Sequence, residues 1–98
     1  MGNNGRIWTR EELMIACHVY FNKSNYRDPI RYLSNLLHRT EGSINMRLGN
    51  YDFFSSNGRY GLENGGARAE SAFREYTSNP LGSAKIAIDM IAKYESRA

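Results

Sequence analysis

Hydrophobic residues recur at helical spacing in the first half of the chain, in three successive runs. The first run starts behind Thr9, a good helix cap, and Glu12 three residues later completes a capping box. We expect this first helix to end near Phe21 or Asn22, before the polar loop 23–27. Its apolar face would consist of Leu13, Ala16, Cys17, Tyr20 and Phe21.

Only two or three residues separate the second and third runs. Asp28 followed by Pro29 predicts the start of a second helix, which should end at or just before His38. Thr40 and Glu41 predict the start of a third. The inward positions are Ile30, Leu33, Leu36 and Leu37 in the second helix, and Ile44, Leu48 and Tyr51 in the third. A link this short is typical of a helix-turn-helix.

The helical pattern stops over residues 52–66, where glycines concentrate. Two turn signals, Asn57 before Gly58 and Asn64 before Gly65, predict an ordered loop, including a short extended piece near 59–62. Phe53, Phe54, Tyr60 and Leu62 would anchor this loop on the core.

Two more helices are expected, over about 67–76 and 83–96, with a break at residues 78–80. The last has a wide apolar face, which could cover the bundle or contact a protein partner or a second copy of the chain. That face comprises Ala84, Ala87, Ile88, Ile91 and Tyr94, widened by Ile86 and Met90. The sequence thus predicts an all-α domain, a small bundle of about five helices that contains a helix-turn-helix and a glycine-rich loop between helices 3 and 4. It would span residues 1–98, with 1–6 disordered and a C-terminal helix within 81–98.

Charge and composition narrow the function classes. The net charge of +3 arises within residues 1–60, a mild basic excess that suits nucleic acid. A single cysteine excludes an internal disulfide, and we expect a soluble, cytoplasmic protein because no run suits a signal peptide or a membrane span. Two histidines and one cysteine are too few for a plausible metal site, so we expect no cofactor, no metal and no catalytic activity.

Helix 3 carries the candidate chemistry. A second set of residues lies about a third of a turn from the buried stripe of helix 3 and could read bases in the major groove. Arginine is suited to pairing with guanine and asparagine to pairing with adenine. The residues of this set are Ser43, Met46, Arg47 and Asn50. The phosphate candidates are Arg31, Arg39, Thr40 and Arg59, with Lys23, Arg27 and Arg10 as weaker ones. The alternative is an ordinary solvated helix face without a ligand.

Other residues have a structural and a functional interpretation. We expect His18 to be a surface or boundary residue, Cys17 a buried small apolar residue, and His38 a cap of helix 2 or a phosphate contact. The glycine-rich segment 61–66 could cradle a phosphate or simply form a turn, and it lacks the lysine of a P-loop. Most aromatic side chains should fill the core, although some could stack on bases.

Three segments together carry a family resemblance: WTREEL from Trp8 to Leu13, RTEGSINMRLGNY from Arg39 to Tyr51, and GLENG from Gly61 to Gly65. In this order they resemble the N-terminal domain that precedes the nuclease domain of many bacterial HNH restriction endonucleases, over about residues 7–77. The first and third helices also resemble a Myb-type three-helix unit, more loosely. The resemblance implies a DNA-reading domain without its nuclease, since the histidine cluster of an HNH site is missing.

Two functional hypotheses follow. The first is non-catalytic binding of double-stranded DNA, in restriction or defence or in transcriptional regulation, by a bacterial or phage protein. The second is a protein-interaction module, such as an accessory subunit or inhibitor of a defence nuclease, which would use the last helix.

Overall fold

The fold of the described part of the chain, residues 7–97 in a computed structural model, is entirely helical. Its elements are α1 (Arg10–Phe21), a 3-10 turn (Lys23–Asn25), α2 (Pro29–Leu37), α3 (Glu41–Ser55), α4 (Gly66–Ser78) and α5 (Pro80–Glu95). The all-α prediction with five helices is therefore confirmed. The extended piece expected near 59–62 is wrong, since the structure assigns no strand within 7–97. The disorder predicted for residues 1–6 lies outside the described residues.

Helix α1 is the centre of the bundle and packs against the four other α-helices. Its start is the predicted capping box: the Glu12 backbone N–H donates to Thr9 Oγ1 at 3.1 Å, and the Thr9 N–H donates to Glu12 Oε1 at 2.9 Å. Every residue from Glu12 to Tyr20 is buried, so the helix is covered all round rather than on the single face that its pattern predicted.

Local caps define the connection between α2 and α3. The Asp28 side chain accepts from the Arg31 N–H and begins α2, and His38 ends it in the left-handed conformation with φ of 56°. The Thr40 side chain accepts from the Ser43 N–H and begins α3. Three residues therefore separate the two helices, and the inward residues Ile44, Leu48 and Tyr51 of α3 are buried as predicted.

Helix α3 continues to Ser55, one turn beyond the end that its apolar pattern predicted. The extra turn buries Phe54, whose ring centroid lies 6.4 Å from Tyr51 and 5.6 Å from Phe73 of α4. This tertiary contact offsets the weak helical preference of the surrounding residues.

The segment 56–65 between α3 and α4 folds back against α3. Gly61 has φ of 96°, and a Cβ there would lie 2.4 Å from the Phe53 nitrogen and 2.7 Å from the Gly49 oxygen, so only glycine fits. The next residue, Leu62, donates its N–H to the Gly49 carbonyl at 2.9 Å. The segment is thus tied to the helix that precedes it.

Helix α5 begins earlier than expected, at Pro80, because the Asn79 side chain accepts from the Gly82 N–H and proline suits a first turn. Its inward residues are Ser83, Ala87 and Ile91. The single wide apolar face predicted for it is wrong. Ile86 and Ile88 are both exposed, and because they are two positions apart they lie about 200° from each other around the helix axis.

A buried ion pair joins the start of α1 to the turn before α3. Arg39 Nη2 donates to Glu12 Oε1 at 2.9 Å and to the Ile7 carbonyl at 3.0 Å, and Arg39 Nε donates to Glu12 Oε2 at 3.2 Å. The two side chains are only 2% and 4% exposed. The Arg39 guanidinium also lies over the Trp8 ring, 4.4 Å from its centroid.

We expect Arg39→Met to lower the free energy of unfolding by about 3–5 kcal/mol, because it leaves the Glu12 carboxylate buried without its cation. Urea unfolding followed by circular dichroism measures this. The matched control is Arg31→Met, which removes an exposed cation 3.5 Å from Glu41 and should cost at most about 1 kcal/mol. Equal losses in the two variants would contradict the structural role of the buried pair.

Candidate nucleic-acid interface

Helix α3 presents a narrow strip to solvent. Gly42, Asn45 and Met46 are exposed on it, and the Met46 side chain retains 62% of its accessible surface. At about 100° per residue, Gly42 and Met46 lie about 160° around the helix from Ile44, whereas Asn45 lies about 100° from it, at the edge of the exposed side. We refer to Gly42, Asn45 and Met46 as the α3 strip.

The four predicted base-reading residues do not share one environment. Met46 lies in the α3 strip and Ser43 is half-buried at its edge, whereas Arg47 is half-buried and Asn50 is buried. The structure therefore brings two of the four to the exposed side of the helix and turns the other two toward the segment 56–65.

Asn50 and Arg47 hold that segment in place. Asn50 Nδ2 donates to the carbonyl oxygens of Leu62 at 2.8 Å and Glu63 at 3.3 Å. Arg47 Nη1 donates to the Gly65 carbonyl at 3.0 Å and to Asn50 Oδ1 at 3.3 Å. The assignment of Asn50 to base reading is therefore wrong, because its amide is engaged with backbone.

The predicted phosphate ligands also divide. The prediction that Arg39 contacts phosphate is wrong, because Arg39 is only 4% exposed and its guanidinium is bound to Glu12. Arg31, Thr40 and Arg59 are exposed. Arg31 lies near Asp28 and Glu41, at 3.8 and 3.5 Å, and Arg59 Nε donates to the Ser56 carbonyl at 3.2 Å. Thr40 Oγ1 serves as the cap of α3.

The weaker phosphate candidates differ in their surroundings. Arg10 forms an ion pair with Glu75, and Lys23 lies over the Tyr20 ring at 4.8 Å from its centroid. Arg27 is exposed in the loop before α2.

Sequence reasoning missed two exposed residues, Asn45 and Arg68. Asn45 lies about a third of a turn from Ile44, on the other flank of the buried stripe from Ser43 and Arg47, so considering both flanks could have found it. Arg68 lies in the first turn of α4, and nothing in the local pattern relates it to α3.

His18 is 8% exposed and is therefore more buried than the surface or boundary position expected for it. Its Nδ1 lies 2.7 Å from the Tyr76 hydroxyl, and burial lowers the pKa of His18 below its ordinary value. His38 caps α2, one of the two roles expected for it.

Cys17 is fully buried, as predicted, and burial raises the pKa of its thiol to about 12. Tyr51 and Phe54 lie in the core, as expected of most aromatic residues. Tyr60 is 62% and Leu62 45% exposed, so the expectation that these two anchor the loop on the core is wrong.

Within residues 7–97, no group of three or more histidine, cysteine, aspartate or glutamate side chains is arranged to hold a metal ion. None of the helices described there combines the length and apolar character needed to cross a membrane.

Comparisons with known proteins give no match: neither protein-family models, nor curated proteins, nor solved structures show significant similarity to this chain. The resemblance to the DNA-reading domain of HNH endonucleases therefore stays a prediction from the three sequence segments.

The buried His18 predicts a pH-dependent stability. Since its folded-state pKa lies below the usual value near 6.5, the unfolded chain takes up a proton at higher pH than the folded protein does. The stabilisation from neutral His18 is complete above about pH 6.5 and declines as the pH falls toward its folded-state pKa.

Urea unfolding at a series of pH values from neutral to acidic tests this expectation. His18→Gln should flatten the decline below pH 6.5, whereas His38→Asn, at an exposed position where asparagine tolerates the left-handed conformation, should leave it unchanged. Identical pH profiles for the wild type and His18→Gln would contradict the assignment.

Proposed function

We propose that the protein binds double-stranded DNA, without catalysing a reaction, by placing the α3 strip in the major groove. The observation that carries the proposal is the exposed pair of Asn45 and Met46 on a helix that follows α2 after only three residues. An asparagine amide can pair with adenine in the major groove, and an apolar side chain can contact the methyl group of thymine. Helices in helix-turn-helix proteins bind DNA in this way.

The surroundings of the α3 strip support the proposal. Ser43 borders the strip, and the exposed Arg31 lies near the start of α3. The one carboxylate in the first turn, Glu41, lies 3.5 Å from the Arg31 guanidinium, which offsets its negative charge. In this proposal Arg31, Thr40 and Arg59 contact phosphates, and Met46, Asn45 and Ser43 face the bases.

The proposed biological setting comes from the sequence resemblance. A DNA-reading unit without a nuclease would serve restriction and defence or transcriptional regulation, and the basic excess in residues 1–60 suits either. Asn50 would act indirectly, by holding the segment 56–65 beside the helix, and Arg47 shares that structural role.

Fluorescence anisotropy with labelled duplexes, selected from a randomised library with and without cytosine methylation, tests the proposal. Asn45→Ala should weaken binding to the selected duplex by about 1–3 kcal/mol, because it removes a base contact. Met46→Ala should weaken it as well. Affinity should also fall steeply with salt, because phosphate contacts release counterions.

The matched control is Ile88→Ala, which shortens an exposed apolar side chain on α5. This helix does not take part in the proposed DNA contact. It should leave DNA affinity unchanged. A wild-type protein that binds no duplex of the library at low salt would refute the function. Binding that is insensitive to both Asn45→Ala and Met46→Ala would refute the assignment to α3.

A second candidate is a protein-interaction module that uses α5, and the exposed side chains of Leu81 (88%) and Ile88 (55%) favour it. These residues are seven positions apart and therefore share one side of the helix. Ile91 is buried and Met90 is half-buried, so they do not belong to that surface. Sedimentation velocity should then show self-association that Leu81→Ser abolishes, whereas a monomer at all concentrations argues against a homodimer.

A further inference from the structure

A cleft of about 410 Å³ lies between the start of the described chain and the start of α4. Its lining includes the Trp8 ring, two arginines and the backbone of the first turn of α4. The lining residues are Ile7, Trp8, Leu13, Arg47 and residues 65–69. None of them has a carboxylate, so the only formal side-chain charges in the lining are the positive ones of Arg47 and Arg68.

Arg47 is held rigidly at this cleft but is not fully satisfied by the protein. Its guanidinium lies over the Trp8 ring, 4.8 Å from the centroid, and Nη1 donates to the Gly65 carbonyl. Its Nε is buried without a hydrogen-bond partner. A guanidinium has five N–H donors, so the hydrogen bonds within the protein leave Arg47 incompletely satisfied.

Arg68 supplies a second positive charge to the lining of the cleft. It is exposed, and the structure shows no ion pair between it and any of residues 7–97. Both arginines therefore line the cleft, Arg47 held by Trp8 and Gly65 and Arg68 without an ion pair within residues 7–97.

The start of α4 faces the same cleft with free backbone donors. Gly65 precedes the helix and provides no side-chain cap, so the first N–H groups lack an acceptor of that kind. Gly66 has φ of 88°, and a Cβ there would meet no atom within 4 Å, which shows open space at this point. Uncapped N–H groups and the helix dipole favour an anion.

We propose that this cleft binds a phosphate group, held by the Arg68 and Arg47 guanidinium groups and by the first backbone N–H groups of α4. The cleft flanks the α3 strip, because Arg47 follows Met46 and lies about 100° further around the helix. A backbone phosphate of DNA is therefore the source that fits best, and that identification rests on the proposed DNA binding. A free phosphate has the same chemistry.

The experiment is a pair of NMR titrations of the ¹⁵N-labelled protein, one with inorganic phosphate and one with a duplex from the selection. The backbone amide signals of Gly66, Ala67 and Arg68 report on the site. Arg68→Gln should weaken the effect of phosphate on these signals on the order of tenfold, since a charge-assisted hydrogen bond is lost. With the duplex, it should lower the slope of log affinity against log salt by about one.

Arg74→Gln is the matched control, because Arg74 is an exposed arginine on the same helix, six residues later, and lies near Glu70 instead of the cleft. It should change neither titration. Circular dichroism spectra and melting temperatures equal to those of the wild type would show that both variants fold.

The possible outcomes separate the two proposals. Shifts at residues 66–68 with both ligands, reduced only by Arg68→Gln, would support the site and DNA as its source. Shifts with phosphate but no duplex binding would support the site and refute the proposed function. Duplex binding that leaves residues 66–68 and the Arg68→Gln affinity unchanged would overturn the site while the function stands. An absence of shifts with either ligand would overturn the site as well.

Discussion

The buried pair of Glu12 and Arg39 is the contact that connects the local capping of α1 to the position of α3. One Glu12 oxygen accepts from both the Thr9 N–H and Arg39, so the capping box and the ion pair share a carboxylate. Arg39 in turn lies between the end of α2 and the cap of α3. Because a buried charge without its partner is strongly unfavourable, this pair restricts how the helices can be arranged.

The surface of α3 is largely used by the fold itself. Ile44, Leu48 and Tyr51 face the core, and Arg47 and Asn50 hold the segment that leads to α4. Only a narrow strip is left for a ligand. The proposed interface is accordingly small on this helix, and a useful affinity for DNA would need contributions from neighbouring elements, such as Arg31 and the start of α4.

The segment 56–65 links that strip to the cleft at α4. Gly61 permits the close approach to the backbone of α3, and the Asn50 amide holds the carbonyl oxygens of the two residues that follow. Arg47 then contacts the Gly65 carbonyl directly before α4 begins. The positions of the α3 strip and of the first α4 amides are therefore coupled through short, specific hydrogen bonds.

The helical class and most helix starts follow from the local sequence. The helix caps act on backbone N–H groups within three residues, so the local sequence is enough to predict them. These caps are Thr9 with Glu12, Asp28 with Pro29, and Thr40. The local sequence also placed Met46 correctly on the exposed side of α3. The tertiary structure alone decided that α3 extends to bury Phe54, that Arg39 pairs with Glu12, and that Asn50 binds the backbone of Leu62. The partners in these contacts are 12 to 27 residues apart in the sequence, so no local pattern relates them. In addition, a polar side chain that makes a buried hydrogen bond recurs along a helix at the same spacing as one that faces a ligand.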